Sequence, residues 1–329
     1  MKYRLLFHIS QSTDPYYNLA TEKYLTDTVK PNEVIMFLWQ NRHTVVIGRN
    51  QNALRECRTA KLKEDGGALA RRLSGGGAVY HDMGNLNFTF SADAESYDQS
   101  KQQRVIVEAC KSLGIDAGIS GRNDILAAGR KFSGNSFYSH AGKRFHNGTL
   151  LINADMDAMT KYLAPSKLKL QAKGVESARA RVINLCELVP GLTIEGMNAA
   201  MIGAFSSVYG ERVEEIGPDR LDEAAIEQNR SFFAGEDWIY GKDPEFTLSL
   251  ESKFGWGELV IKLNVLGGVC KSAAVYTDAM DFEFASPLSA ALTNCPFKAE
   301  SLCERVKSVN ECAPYAPDIC QMLTRETER

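Results

Sequence analysis

Tyr3, Leu5, Phe7 and Ile9 recur at every second position, the period of a strand packed on a sheet. Asp14-Pro15 then supplies a cap followed by proline at the first helical position, predicting a helix through Tyr24 to about Val29. Residues 33–39 and 44–48 read as two strands around a polar turn, and their near-continuous apolar character suggests burial on both faces. A short helix is expected over 53–63. In 85–90, Leu86, Phe88 and Phe90 alternate with Asn85, Asn87 and Thr89, which reads as a half-buried strand. Gly75, Gly76 and Gly77 lie just upstream, in a turn feeding that sheet. Asp98 opens a helix to about Ser112. Residues 121–153 read as short strands joined by glycines, 155–163 as a helix and 165–170 as a basic loop holding Lys167 and Lys169. Two amphipathic helices follow over 196–210 and 219–232.

Gly235, Gly241 and Pro244 punctuate the next stretch, which places a domain boundary near residue 243. Beyond it Leu259, Ile261, Leu263 and Val265 alternate, Gly267-Gly268 turns the chain, and 269–277 returns as the second arm of a hairpin. The remainder is expected to be helical, broken at Pro296, Pro314 and Pro317. The reading is thus a first domain of strands and helices over residues 1–243 and a small α+β domain over 244–329, and 329 residues suit two cores better than one.

The bulk numbers narrow the function classes. A net charge of −3 argues against a nucleic-acid binder driven by counterion release. The apolar start MKYRLLFHIS is short and interrupted by Arg4 and His8, and no run approaches a membrane span, so a cytoplasmic protein is expected. None of the eight cysteines forms a CxxC pair. The last four have the spacing C-x7-C-x8-C-x7-C, which lacks the close pairs of a zinc site and fits buried thiols on C-terminal helices.

The chemistry concentrates in RRLSGGGAVYHDMGN, residues 71–85. Three glycines expose bare backbone N–H groups beside Arg71 and Arg72, which suits a phosphate or carboxylate ligand. An ordinary glycine-rich hairpin with surface arginines has the same composition. Lys131 by itself reads as a surface charge, His81 as a pocket wall or a structural hydrogen-bonding residue, and Asn123-Asp124 as a turn. Neither a G-x-x-x-x-G-K-[ST] phosphate loop nor a strand-linked G-x-G-x-x-G occurs.

RRLSGGGAVYHDMGNLNFT closely resembles the signature of the lipoate–protein ligase family. GRNDILAAGRKFSG (121–134) and FHNGTLLINADMDAMTKYLAPSKLKLQAKGVESARARVINL (145–185) resemble the same family in the same order. The resemblance implies a mixed sheet flanked by helices, as in the catalytic domain of biotin ligases and class II aminoacyl-tRNA synthetases, with a small α+β accessory domain. It implies a two-step reaction: ATP activates lipoate to lipoyl-AMP, and a lysine of an acceptor domain then takes the lipoyl group. The acceptors would be E2 subunits of 2-oxoacid dehydrogenases and the glycine cleavage H protein, with no nucleic acid or membrane partner.

The resemblance also assigns residues. Lys131 takes the place of the family's active-site lysine. Arg72, Gly77, Ala78, Val79 and Tyr80, with Lys131, would hold ATP. Arg72, Ser74, Gly75, Gly76, His81, Lys131, Gly134 and Asn147 would hold lipoate, and Asp124 a Mg²⁺ ion. A closing loop is expected around residues 167–174. Asn147 departs from the family, in which many ligases read FHHGTLL where this chain reads FHNGTLL. It either supplies a hydrogen bond in place of the imidazole or is a tolerated change in a turn. Two alternatives remain: an ATP-independent octanoyl or lipoyl transferase of the same superfamily, some of which use a cysteine nucleophile, and a decayed lipoyl-binding protein. No cysteine falls inside the three motifs.

Overall fold

The computed structural model describes residues 2–121, 123–164, 181–241 and 246–327. The expected loop at 167–174 and the boundary near 243 lie outside the described residues. Strands β1 (Arg4–Ile9), β2 (Glu33–Trp39), β3 (Thr44–Ile47), β4 (Ala68–Arg71), β5 (Val79–His81), β6 (Asn85–Asp93), β7 (Ala117–Ser120), β8 (Asp124–Ala127), β9 (Arg130–His140), β10 (Lys143–Leu151) and β11 (Val213–Glu215) build two sheets. The large one is mixed, in the order β11-β1-β2-β6-β10-β9-β8-β7; the small one is β4-β3-β5.

Strand β2 explains why its sequence is apolar throughout. Val34, Met36 and Leu38 point into one core with Phe88, Phe90, Ile106 and Phe205, under the helices Gln99–Ser112 and Ile194–Tyr209. Ile35, Phe37 and Trp39 point into the other, with Leu19, Leu25, Ile226 and Phe233, under the helices Pro15–Thr28 and Glu223–Ala234. The expected caps are present: Asp14 accepts from the Tyr16 N–H and Asp98 from the Lys101 N–H.

Strand β6 corrects the expectation of a half-buried strand, because both of its faces are buried. Its polar face lies against the helix Pro15–Thr28, where Thr89 Oγ1 donates to Glu22 Oε1 at 2.7 Å and Ser91 Oγ meets Thr26 Oγ1 at 2.7 Å. Alternation correctly gave the facing of each side chain; hydrogen-bonding partners, not solvent, account for the polar half. The helix expected over 53–63 is two, Ala53–Glu56 and Thr59–Glu64, interrupted where Cys57 bridges to Leu163.

The C-terminal part contains an antiparallel sheet, β12 (Leu248–Phe254), β13 (Gly257–Leu266), β14 (Val269–Thr277) and β15 (Cys295–Pro296), in that order. The helices Ala285–Leu292, Ala299–Lys307 and Ala316–Thr327 share a separate core with it. Cys295 thus lies on a strand and Cys312 in a 3-10 turn rather than on helices. The segment between β14 and the helix Ala285–Leu292 reaches back to the first sheet system: the Gly76 N–H donates to Ala279 O at 3.2 Å, and Asn50 Nδ2 to Phe282 O at 2.7 Å.

Candidate active site

A cleft of about 160 Å³ opens between the two N-terminal sheets. One wall is apolar, from Leu19, Trp39, Val46 and Val79. The other is polar, from Asn123, Lys131, Asn135, Ser136, Asn147 and Thr149, with Arg72, Gly76, Gly77 and Ala78 along its edge and Met280 from the C-terminal part over it. A chain with a long apolar body and one charged end would match that division.

The glycine turn is held from behind by Arg72. Its buried guanidinium donates to the carbonyls of Gly75 (2.6 Å), Gly77 (2.8 Å) and Val46 (3.3 Å). Binding the carbonyls on one side fixes the orientation of the peptide groups around the turn. Gly76 has φ +86°, a left-handed conformation that suits glycine. Arg71 faces elsewhere, donating to the carbonyls of Gly48, Arg49, Gln51 and Ile239, and is a structural staple rather than a ligand contact.

Lys131 enters the cleft from β9. A register shift between Ile125 and Leu126 places Leu126 opposite Lys131 and Ile125 opposite Ser133, so β9 bulges at the lysine. The ammonium is 2.7 Å from Asp124 Oδ1, and both side chains are about a third exposed. A Cβ on Gly134 would come within 3.0 Å of Lys131 Nζ. Gly134 therefore makes room for the lysine stem. No cluster of three or more metal-ligating side chains occurs among the described residues, and Asp124 is a counter-ion to Lys131.

His81 and Asn147 complete the polar lining. Asn41 accepts from Asn18 through Oδ1, which directs its Nδ2 donor at His81 Nδ1, 3.2 Å away. That bond leaves the proton on His81 Nε2, a buried atom with no partner among the described residues, on a side chain that lines the cleft. Burial, followed by the nearby Arg72 charge, pushes the His81 pKa down to about 3, so it is a neutral donor. Asn147 lies in the middle of β10, opposite Thr89 on β6 and Ser136 on β9, which overturns the turn reading. Its Oδ1 accepts from Ser136 Oγ and Ser74 Oγ, and its Nδ2 donates to Glu22 Oε1 at 2.9 Å.

The description of the lipoyl protein ligase A/B catalytic domain matches residues 14–206, and that of the bacterial lipoate protein ligase C-terminus matches 243–321. The first span is more than half of the chain. The chain belongs to the lipoate–protein ligase family. A relative named lipoate-protein ligase A, from Psychrobacter cryohalolentis, is 39% identical, with all of both chains covered. The LipL1 protein of P. falciparum, solved in complex with lipoate, superposes with a TM-score of 0.85 at 30% identity, covering 98% of this chain and 99% of that one. A lipoate-protein ligase A solved with ATP bound gives 0.62 at 25% identity over 73% of this chain and 99% of that one. The bi-partite lipoate protein ligase of Thermoplasma acidophilum, studied with its E2 lipoyl domain, gives 0.64 at 25% over 75% and 100%. As a member of the family the chain is a ligase that acts with lipoate.

Within this ligase, the cleft gathers Arg72, Gly76, Gly77, Ala78, Val79, His81, Lys131, Gly134 and Asn147 from the residues singled out in the sequence. Three stand apart. Tyr80 alternates out of the cleft between Val79 and His81, and its ring packs on His43 and Tyr162. Ser74 sits behind the lining, 2.8 Å from Ser136 Oγ, and Gly75 packs against the C-terminal segment at Ala279 and Phe282.

Glu22 is the residue that motif reading missed. It is fully buried behind Asn147, and its Oε2 has no partner among the described residues. The signal was a polar stripe, Asn18, Glu22 and Thr26, at four-residue spacing on one face of a helix. Burial raises the Glu22 pKa from 4.5 to about 7, against the hydrogen bonds from Thr89 and Asn147 and the Arg72 charge. A carboxyl whose folded pKa lies above its unfolded one binds more protons in the native state. Its contribution is therefore full below pH 4.5 and is lost as pH rises through 7, by about 3 kcal/mol in total. Glu22→Gln should flatten the dependence of unfolding free energy on pH between 5 and 8. Denaturant titrations at both ends check this, and an unchanged slope would show that Glu22 ionises freely.

Proposed function

We propose that the chain is an ATP-dependent lipoate–protein ligase with its reaction centre at Lys131. The single observation carrying this reading is the placement of the Lys131 ammonium in a cleft that runs from a bare glycine turn to an apolar wall. In this reading Arg72, Gly77, Ala78, Val79 and the backbone at Tyr80 hold ATP beside Lys131. Leu19, Trp39 and Val46 take the hydrocarbon body of lipoate. Ser74, Gly75, Gly76, His81, Gly134 and Asn147 define its polar surroundings, with His81 Nε2 the free donor.

Lipoate's carboxylate attacks the α-phosphorus, forming lipoyl-AMP and releasing pyrophosphate. Two anionic groups must meet for this step, and one fixed ammonium that contacts both offsets their repulsion and the charge developing between them. The ε-amine of an acceptor lysine then attacks the mixed anhydride, giving the amide and AMP. Mg²⁺ would accompany the triphosphate, with Asp124 as one oxygen ligand and phosphate and water as the others, the usual pattern for an ion bound with its nucleotide. We assign residues 1–243 to catalysis and 244–329 to an accessory domain. Lipoyl domains of E2 subunits are the proposed acceptors, with the glycine cleavage H protein as a further one, and the cytoplasm the proposed location. No helix among the described residues is long and apolar enough to cross a membrane.

A transferase using a cysteine nucleophile is disfavoured by the cleft itself, whose lining contains no cysteine among the described residues. The proposal is tested by following both half-reactions with purified protein and an E2 lipoyl domain. Lipoylation should require ATP as well as lipoate. Asn147→Ala should slow it by ~10-fold, about 1.4 kcal/mol for one lost hydrogen bond, and Asn147→His should retain most of the rate. ATP-independent transfer from an acylated protein donor would favour the transferase. Full activity in the alanine variant would reduce Asn147 to packing.

A further inference from the structure

The regular cysteines of the C-terminal part do not form one cluster. Cys295 lies opposite Cys270 across β15 and β14, and both are fully buried. Cys312 is buried beneath its 3-10 turn. Cys303 and Cys320 are different: both are partly exposed, one on the helix Ala299–Lys307 and the other on Ala316–Thr327. Cys303 Sγ lies 3.7 Å from the Cys320 carbonyl oxygen, and Cys320 Sγ lies 3.8 Å from that of Cys303. Such reciprocity requires the two backbones to approach and the two side chains to cross the interface toward each other.

We propose that Cys303 and Cys320 form a thiol-oxidation site, a dithiol that a low-molecular-weight disulfide converts reversibly into an intrachain disulfide joining these two helices. The cysteine motif thereby acquires a role separate from the ligase cleft. A disulfide needs its two backbones at short range with side chains converging, which this helix pair supplies. Burial, followed by the hydrogen bond with Cys303, pushes the Cys320 thiol up to about 11, so Cys320 stays protonated and is not the thiol that attacks first.

The Cys303 thiolate attacks one sulfur of the small disulfide, forming a mixed disulfide and releasing one small thiolate. Cys320 gives its proton to solvent and attacks the Cys303 sulfur, releasing the second. The protein pair is oxidised by two electrons and the small disulfide is reduced to two thiols. The other cysteines lack one requirement or another. Cys57, Cys110, Cys270, Cys295 and Cys312 are buried, whereas Cys186 is partly exposed but hydrogen-bonded to Asn153 rather than to a thiol.

The test is to incubate the full-length protein with oxidised glutathione, alkylate the remaining thiols, and combine intact mass with peptide mapping. Wild type should yield a Cys303–Cys320 linked peptide with no glutathione retained at either residue, and dithiothreitol should restore both thiols. Cys320→Ser should instead retain glutathione at Cys303, since no resolving thiol remains. Three results would overturn the proposal: both residues alkylated as free thiols while Cys186 is modified, separate glutathione adducts on each, or a link from Cys320 to Cys312.

Discussion

Lys131→Ala is expected to lower the rate of lipoyl-AMP formation by at least ~100-fold, the scale of losing a principal electrostatic contact to a transition state. Little else should change. The Lys131 backbone bonds, from its N–H to Arg181 O (2.7 Å) and from the Ile183 N–H to its carbonyl (3.0 Å), do not involve the side chain. Asp124, left without its ion pair, is about a third exposed and can be solvated. Thermal unfolding should therefore be nearly unaltered while adenylation collapses. A variant that adenylates lipoate at a near-normal rate would remove Lys131 from the chemistry, and one that unfolds would not test it. Recording both quantities on the same preparation separates the two.

Truncation after Lys242 is expected to reduce adenylation by on the order of 100-fold, comparable with the effect of a small misplacement of reacting groups. The C-terminal part reaches the cleft through Met280, and its Ala279 carbonyl accepts from the Gly76 N–H. Phe282 lies under the Arg49 guanidinium and stacks on Tyr138. These contacts steady the glycine turn at the place where phosphates are proposed to bind. Transfer from synthetic lipoyl-AMP needs the acyl pocket but no triphosphate, so it should survive truncation within about tenfold and serve as the check on folding. Equal adenylation by the truncated and full chains would contradict a role for the accessory part.

What was readable in the sequence followed from local periodicity. The two-faced burial of β2 was visible in its unbroken apolar run, and the caps at Asp14 and Asp98 in their residue types. What escaped depended on neighbours distant in sequence. The polar face of β6 looks like a solvent face until Glu22, 67 residues away from Thr89, is folded onto it. Of the two readings of Asn147, the turn rested on the glycine after it, yet strand pairing on both sides fixes the residue in mid-sheet, where its amide does hydrogen-bond. Arg71 and Arg72 are indistinguishable as neighbours in sequence, and only the different backbone carbonyls their side chains reach at the end of β4 make one a staple and the other a clamp. The side chain of Tyr80 faces away from the cleft by the same alternation, applied to β5, which leaves only its backbone toward the ligand side.

Exchange of labelled pyrophosphate into ATP, measured with the purified protein in the presence and absence of lipoate, tests the central claim most directly. Reversible formation of lipoyl-AMP predicts exchange that depends on lipoate and disappears in Lys131→Ala. No lipoate-dependent exchange from a protein that still moves acyl groups between acceptor domains without ATP would contradict it.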